Sequence, residues 1–330
     1  GLALEEKLRP RAEARSGGTG PLVWLGMFDA PARIPAADVP QWLATHAQGS
    51  GSVGPLDPQI SPGGYAKAFG ALQEAIRAGD IYQANLTFPL AGNFTGDPLG
   101  LYAALRPAAQ AGYGGVIFDG SHWLLSLSPE LFVSLKGREA KAKPMKGTRP
   151  RGSDAASDRA LADELAASVK DKAENLMIVD LLRNDLSRVA RIGSVQVSKL
   201  FELETFARVH HLVSEVRADI GEGLDAIDLL RATFPGGSIT GAPKIRAMEI
   251  IHEIEPVARG PYCGAVAWMG FDGAMDSAIA IRTMTYANGV VAAQAGGGIV
   301  ADSDPADEYD ESMTKIRPLL AALDGRMALS

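Results

Sequence analysis

The sequence predicts a chain that mixes helices with antiparallel strands, and three observations carry that reading. Asp119-Gly120, Asp272-Gly273 and Asn288-Gly289 each separate two short apolar runs, the arrangement that tight hairpins favour. Leu161, Leu165, Val169, Ala173, Leu176 and Val179 form one helical stripe, expected as a single long helix from a cap at Ser157 or Asp158 to about Val189. Asp304 followed by Pro305 reads as the cap and first residue of another helix.

In chain order, residues 1–20 are charged, then Ser/Gly-rich, and read as a poorly ordered lead-in; with Gly1 in place of Met, an N-terminal part is expected to be missing. Leu22 to Met27 reads as a strand, Gln48 to Gly64 as a loop, and Tyr65 to Ala78 as a helix stopped by Gly79-Asp80. IYQANLTFPL follows, then a helix near Pro98 to Leu105, then the hairpin runs GGVIF and HWLLSL. Leu131 to Leu135 alternates as a strand does, which leaves Lys146 just past strand structure. In FPGGSITGAPKIRAMEII, three glycines precede a helix whose apolar positions include Ile245, Met248 and Ile251. YCGAVAWMG, SAIAIRTMTY and VVAAQAGGGIV then read as one antiparallel meander.

Composition narrows the function classes. At 330 residues, 46% apolar and 22% charged, the chain has the make-up of an ordinary soluble protein with a large core. A net charge of −7 argues against a general nucleic-acid surface, which needs clustered Lys and Arg. No apolar run approaches membrane-spanning length. The single cysteine, Cys263, forms no internal disulfide and reads as a small core residue; without a signal peptide, a reducing cytoplasm is the expected compartment.

Several residues are candidates for chemistry. Lys146 lies in PMKGTRP, where Gly147 permits close backbone approach and a turn aims an amine into a cleft. On local sequence alone, with Lys141, Lys143 and Arg149 nearby, a solvated surface lysine is the plainer reading. Asp171 and Glu174 share one helix face, as do Glu308, Glu311 and Lys315; each set alone reads as solvated charge. Gly236, Gly237 and Gly241 leave amides open to an anion before a helix start, without the Gly-Lys-Ser/Thr ending of a P-loop. Arg282 interrupts an apolar strand and suits a bidentate grip on a carboxylate.

Eight blocks in order, SPELF, PMKGTRPRG, KDKAENLMIVDLLRNDLSRV, VHHLVSEV, FPGGSITGAPKIRAMEII, RGPYCGAVAWMGFDG, AIAIRTM and AGGGIVADSDPADEYDES, resemble the chorismate-utilising enzymes. The resemblance spans about Ala66 to Leu323, and the first sixty residues match poorly. It implies an α+β fold of the anthranilate synthase component I type: two large antiparallel sheets packed around a core, helices outside, and an active site in a cleft between them. Residues 1–64 would be a partial N-terminal region and 65–330 the chorismate-binding catalytic domain. Within the family, lysine in the Pro-x-Lys-Gly-Thr block resembles the aminodeoxychorismate synthase component I group, where anthranilate synthases usually have another residue.

The resemblance also implies roles. Lys146 would add to C2 of chorismate as the 4-hydroxyl leaves, and ammonia would then attack C4; the amine must be neutral, so partial desolvation or nearby positive charge is expected. Glu130 matches the general acid and needs a raised pKa to keep its proton. His211 matches a histidine on the C4 side of the substrate. Tyr262, Arg282 and Lys315 match positions that hold substrate carboxylates, and the amides around Gly296, Gly297, Gly298 and Thr240 match backbone contacts. Mg²⁺, a hard cation that keeps several waters, would lie on Glu174 and Glu311, with Asp171 and Glu308 holding its water; Asp171 stands where the family usually has Glu. Cys263 in PYCGA lacks a glutaminase elbow, so a separate glutamine amidotransferase subunit would supply ammonia, and a lyase would carry the product to 4-aminobenzoate for folate. Two other readings remain open: anthranilate, isochorismate or salicylate formation, and a non-catalytic chorismate-binding subunit.

Overall fold

The computed structural model describes residue 9 and residues 21–109, 111–206 and 209–324; apart from residue 9, the expected lead-in lies outside them. The architecture is α+β on two antiparallel sheets, and the chain divides into two compact units. A first unit holds residues 130–244 and 265–279, and a second holds the other described residues.

In chain order the second unit opens with α1 (Val39–His46), β1 (Gly51–Val53), β2 (Asp57–Pro58), α2 (Pro62–Arg77), β3 (Gln83–Gly96), α3 (Pro98–Ala109), β4 (Tyr113–Phe118) and β5 (Trp123–Ser128). The first unit carries β6 (Leu131–Lys136), β7 (Glu139–Ala142), β8 (Met145–Pro150), α4 (Ala155–Ala167), α5 (Val169–Ser187), β9 (Gln196–Thr205), β10 (Val209–Asp219), α6 (Ala226–Thr233) and the two-residue β11 (Gly241–Ala242). Then come α7 (Lys244–Ile254), β12 (Ala265–Met269) and β13 (Met275–Ile279), and the chain closes with β14 (Thr283–Ala287), β15 (Val290–Ile299) and α8 (Pro305–Asp324).

The first unit's sheet runs β12-β13-β6-β7-β10-β8, with β9 also on β10. Leu131, Val133 and Leu135 of β6 and Ile178, Leu182 and Leu186 of α5 are buried in it, and α5 packs on β8 and β10. The second unit's sheet runs β1-β3-β15-β14-β5-β4, with β2 also on β3. There Leu86, Phe88 and Leu90 of β3 meet Tyr65, Phe69 and Leu72 of α2 and Ile316 and Leu319 of α8. Burying a side chain of this size contributes about 1.5–3 kcal/mol, which holds both helices on the strand. Gln83, Asn85 and Thr87, at the alternate positions of β3, are also buried, so that strand has one apolar face and one buried polar face.

Local chemistry fixes the element ends. Ser61 accepts from the Gly64 amide to start α2, with Pro62 behind it, and Gly79 leaves the helix at φ +77°. Asp304 caps α8 as expected, accepting from the Ala306 and Asp307 amides at 2.8 and 3.3 Å. Asn288 and Gly289, at φ 51° and 79°, make the tight turn between β14 and β15.

Several expectations are corrected. The long helix after Lys146 is two helices: Ser168 at ψ 114° stops α4, and its hydroxyl accepts from the Asp171 amide to start α5. The break resets the helical phase, so the buried stripe of α5 is Asn175, Ile178, Val179, Leu182 and Leu186, while Val169 is exposed; α4 itself is capped by Asp154. The meander is two hairpins in different sheets, because SAIAIRTMTY divides at residues 280–282 where Arg282 takes φ 49°. Lys146 lies within β8 rather than past a strand, and Gln48–Gly64 contains β1 and β2. Residues 22–27 form no strand, and Leu22, Val23, Leu25 and Met27 are exposed.

Candidate functional site

In the first unit the candidate groups gather along β8, β10 and α5. Lys146 pairs across the sheet with Leu212 and Thr148 with His211, leaving Gly147 as an extra residue at a bulge. Only glycine suits that place. Gly147 has φ +77°, and a Cβ there would lie 2.8 Å from Leu165 Cδ1 and 2.9 Å from Asp171 Cβ. The bulge thereby lets α5 close on the strand, and Lys146 Nζ comes within 3.7 Å of Glu174 Oε2. Both side chains are mostly buried, and the amine stands beside a carboxylate rather than a second cation. Asp171, one turn earlier, faces Arg149 Nη2 at 3.4 Å.

His211 is held at the same bulge. A proton on Nδ1 is donated to the Gly147 carbonyl at 3.2 Å, and a bare Nδ1 accepts from Thr148 Oγ1 at 3.0 Å. The ring stands edge-on to Phe206. Glu130, buried just before β6, accepts from Ser238 Oγ at 3.1 Å, beside a cavity of about 10 Å³ lined by Phe132, Pro144 and Gly237. That is room for about one water.

The glycine-rich turn is not an open anion cradle at a helix start. A 3₁₀ turn (Gly237–Ile239), β11 and Pro243 separate it from α7, and a Cβ on Gly237 would overlap Leu181. Gly236 and Gly237 serve close packing. Thr240 donates its hydroxyl to Gly236 O at 2.8 Å. In the helix that follows, Ala247, Met248 and Ile250 are buried and Ile245 is exposed.

In the second unit Gly296, Gly297 and Gly298 lie on β15 opposite Thr87, Leu86 and Asn85. A Cβ on Gly297 would stand 3.1 Å from Glu308 Oε2, 3.4 Å from Ser312 Oγ and 3.7 Å from Lys315 Nζ. Glu308 is buried and its Oε1 accepts from Ser303 Oγ at 2.6 Å. Glu311 pairs with Lys315 at 2.8 Å near the surface. Burial raises the Tyr262 phenol far above its ordinary value, reinforced by Cys263 and Glu255 against the pull of Arg259. Arg282 is half-buried, and its carbonyl accepts from the Leu127 amide.

Some groups escaped the sequence reading. Arg259 grips Glu255 through Nε at 2.9 Å and Nη2 at 2.8 Å, while Glu255 Oε1 takes the Thr87 amide and hydroxyl. Their spacing of four was a legible signal for a pair, not for its burial. Gln83 is fully buried with neither amide atom hydrogen-bonded. Ser238 carried no signal.

For a metal, the donor chemistry fits Mg²⁺: carboxylate pairs at a spacing of three on α5 and on α8, the latter beside bare backbone that any Cβ would fill. No cluster of three or more His, Cys, Asp or Glu suited to a metal occurs among the described residues, so such a cation would need waters to complete its shell.

Comparison with known proteins gives a consistent result. A family model described as chorismate binding enzyme matches residues 30–321. Aminodeoxychorismate synthase component 1 of Escherichia coli K12 is 48% identical over 260 residues, 79% of this chain and 57% of that protein. Anthranilate synthase component 1 of Streptomyces coelicolor is 42% identical over 316 residues, 96% of this chain and 62% of that protein. The crystal structure of anthranilate synthase component I from Streptococcus pneumoniae TIGR4 superposes with a TM-score of 0.75 at 37% identity, covering 87% of this chain and 62% of that one. The chain thus spans about three-fifths of the length of these relatives.

Proposed function

Because the chain belongs to the chorismate binding enzyme family, we propose that it converts chorismate and ammonia to 4-amino-4-deoxychorismate, a precursor of 4-aminobenzoate and folate. The observation that carries the reading is Lys146: a mostly buried amine on a bulged strand, 3.7 Å from Glu174, in the block where relatives that form anthranilate usually lack lysine. Similarity at 48% identity to a protein named aminodeoxychorismate synthase component 1 supports it.

Each residue then has one task. Glu130 gives its proton to the 4-hydroxyl, which leaves as water while neutral Lys146 Nζ bonds to C2 and the ring double bond shifts. Ammonia attacks C4, the double bond shifts back, and the lysine is expelled with its electron pair. The sum is chorismate plus ammonia giving the amine plus water. His211, fixed by Gly147 O and Thr148, serves the C4 side. Tyr262, Arg282 and Lys315 hold the substrate carboxylates, with backbone contacts from Thr240 and Gly296, Gly297 and Gly298. Mg²⁺ would be held by Glu174 and Glu311, with Asp171 and Glu308 on its waters, and when bound would draw electron density toward the ring carboxylate.

Ammonia comes from a glutamine amidotransferase partner, a reading supported by the "component 1" in the relatives' names. Cys263 is buried at φ 63° and sits in no nucleophile elbow. No described helix is long and apolar enough to cross a membrane, and a cytoplasmic enzyme fits the lone buried cysteine. A second reading, anthranilate formation, is favoured by the 96% of the chain that matches the Streptomyces relative. Incubating the chain with chorismate, MgCl₂ and ammonium chloride separates them. 4-Amino-4-deoxychorismate supports the proposal, anthranilate the second reading, and no conversion in active-folded protein overturns both.

A further inference from the structure

The middle of β10 is irregular along both of its edges. Its register against β8 shifts between His211 and Leu212, and its register against β9 shifts between Val213 and Glu215, where Phe201 takes φ 56°. Two fully buried polar side chains meet at that stretch, Ser214 of β10 and Asn175 of α5. Asn175 Nδ2 donates to the Leu212 carbonyl at 3.2 Å, and its Oδ1 accepts from Ser214 Oγ at 2.5 Å. Ser214 Oγ in turn accepts from the Phe201 amide at 3.1 Å, while the Ser214 amide donates to Pro144 O at 3.0 Å, just before β8. Side chains thus take up backbone groups where the ladder is disturbed, and they tie α5, β8, β9 and β10 together at one place.

That place bears on the candidate site. Leu212, whose carbonyl Asn175 holds, is the cross-strand partner of Lys146. Glu174, 3.7 Å from Lys146 Nζ, directly precedes Asn175 on the helix. Consecutive helical residues point about 100° apart, so fixing Asn175 on β10 also fixes the direction of Glu174. With side-chain atoms about 5 Å from the helix axis, a turn of α5 by about 20° carries the carboxylate about 2 Å, enough to end its contact with the lysine. Hydrophobic burial is non-directional, whereas the hydrogen bonds of Asn175 select one rotation.

We propose that Asn175 and Ser214 are positioning residues for Lys146 and Glu174: their hydrogen bonds set the rotation of α5 on β10 and so hold the carboxylate against the amine. The consequence for turnover rests on the reading of Lys146 as the nucleophile, and the test has one arm that does not.

That arm uses the substrate-free chain, labelled with acetic anhydride at one pH, with the rate on the Lys146 peptide read by mass spectrometry against that of the exposed Lys67. Ser214→Ala, the smaller change, and Asn175→Leu, which keeps the volume, should each raise the relative rate several-fold, as Glu174→Gln does. Neither should raise it further in a Glu174→Gln background, where there is no carboxylate left to displace. With chorismate, MgCl₂ and ammonium chloride, well below the unfolding temperature, each single variant should lose at least about tenfold in kcat with the KM for chorismate unmoved. Native labelling and native kcat in both variants, with only the unfolding temperature lowered, overturn the proposal: the two side chains then do no more than satisfy buried groups. If the native chain converts no chorismate but both variants still show the raised labelling, the nucleophile reading falls and the positioning role stands.

Discussion

Gly147→Ala tests whether the bulge in β8 is what sets Lys146 against α5. The left-handed φ of +77° costs an L-residue about 1–2 kcal/mol. The new methyl would also stand 2.8 Å from Leu165 Cδ1 and 2.9 Å from Asp171 Cβ and Cγ, and Leu165 is fully buried and cannot step aside. Overpacking of that kind adds about 1–3 kcal/mol, for a total of about 2–5 kcal/mol. Gly137→Ala is the control: its φ is +59° but nothing lies within 4 Å, so only the backbone cost applies. Urea unfolding of the two variants should therefore differ by the packing cost alone, and turnover should fall in Gly147→Ala because Lys146 and Glu174 are pushed apart. Equal destabilisation by the two substitutions would refute the close approach of helix and strand.

Lys146→Ala should still bind chorismate yet lose amination; mass spectrometry of the native chain with chorismate and no ammonia should show an adduct smaller by one water than the simple sum on the Lys146 peptide. No adduct, with slow amination by the variant in excess ammonium, would mean that Lys146 only stabilises charge. Lys244→Met should cost about 3–5 kcal/mol, since it leaves the buried Asp185 carboxylate without its partner at 2.6 Å. Burial already raises the Asp185 pKa against Lys244 and Arg188, and a raised folded-state pKa gives stability at low pH that is lost as pH rises. The variant's deficit in chemical unfolding should therefore be larger at about pH 8 than at about pH 5. Arg151, the Gly152 amide and His210 hold Asp158 far below the usual carboxylate range, a contribution present above that range and lost in acid. The stability gap between Asp158→Asn and the native chain should accordingly shrink below about pH 4.

Hairpins were legible because Asn288-Gly289 and its kin dictate backbone torsions locally, and the cap at Asp304 was legible for the same reason. The break at Ser168 was not: either side of it the composition is helical, and a serine that ends one helix while capping the next leaves no periodic mark beyond a phase slip. Nor could alternation show that β13 and β14 belong to different sheets, since an apolar run reads the same whichever sheet it joins. For the site, residue identities came from the ordered motifs, while their partners did not. Arg149 beside Asp171 and Ser238 beside Glu130 depend on contacts between distant segments.

Each unit sets its carboxylates by the same device. The first member of a pair spaced by three lies against a strand glycine, Asp171 at Gly147 and Glu308 at Gly297, and the second lies beside a lysine. Without a metal the second carboxylate is thus balanced by a cation, but the two balances differ. Glu311 and Lys315 are about half exposed, and such a pair is worth about 0–1 kcal/mol, so Glu311→Gln should leave stability nearly unchanged. Glu174 and Lys146 are 20% and 15% exposed, so Glu174→Gln leaves a largely buried ammonium without its counter-charge, at about 1–3 kcal/mol. If both carboxylates serve Mg²⁺, both variants should lose at least tenfold in turnover, about 1.4 kcal/mol, and need more Mg²⁺. Thermal unfolding in EDTA beside Mg²⁺-dependent turnover separates the two effects: a Glu174→Gln chain as stable as the native one, with its Mg²⁺ dependence unmoved, would remove both the ion pair and the metal role.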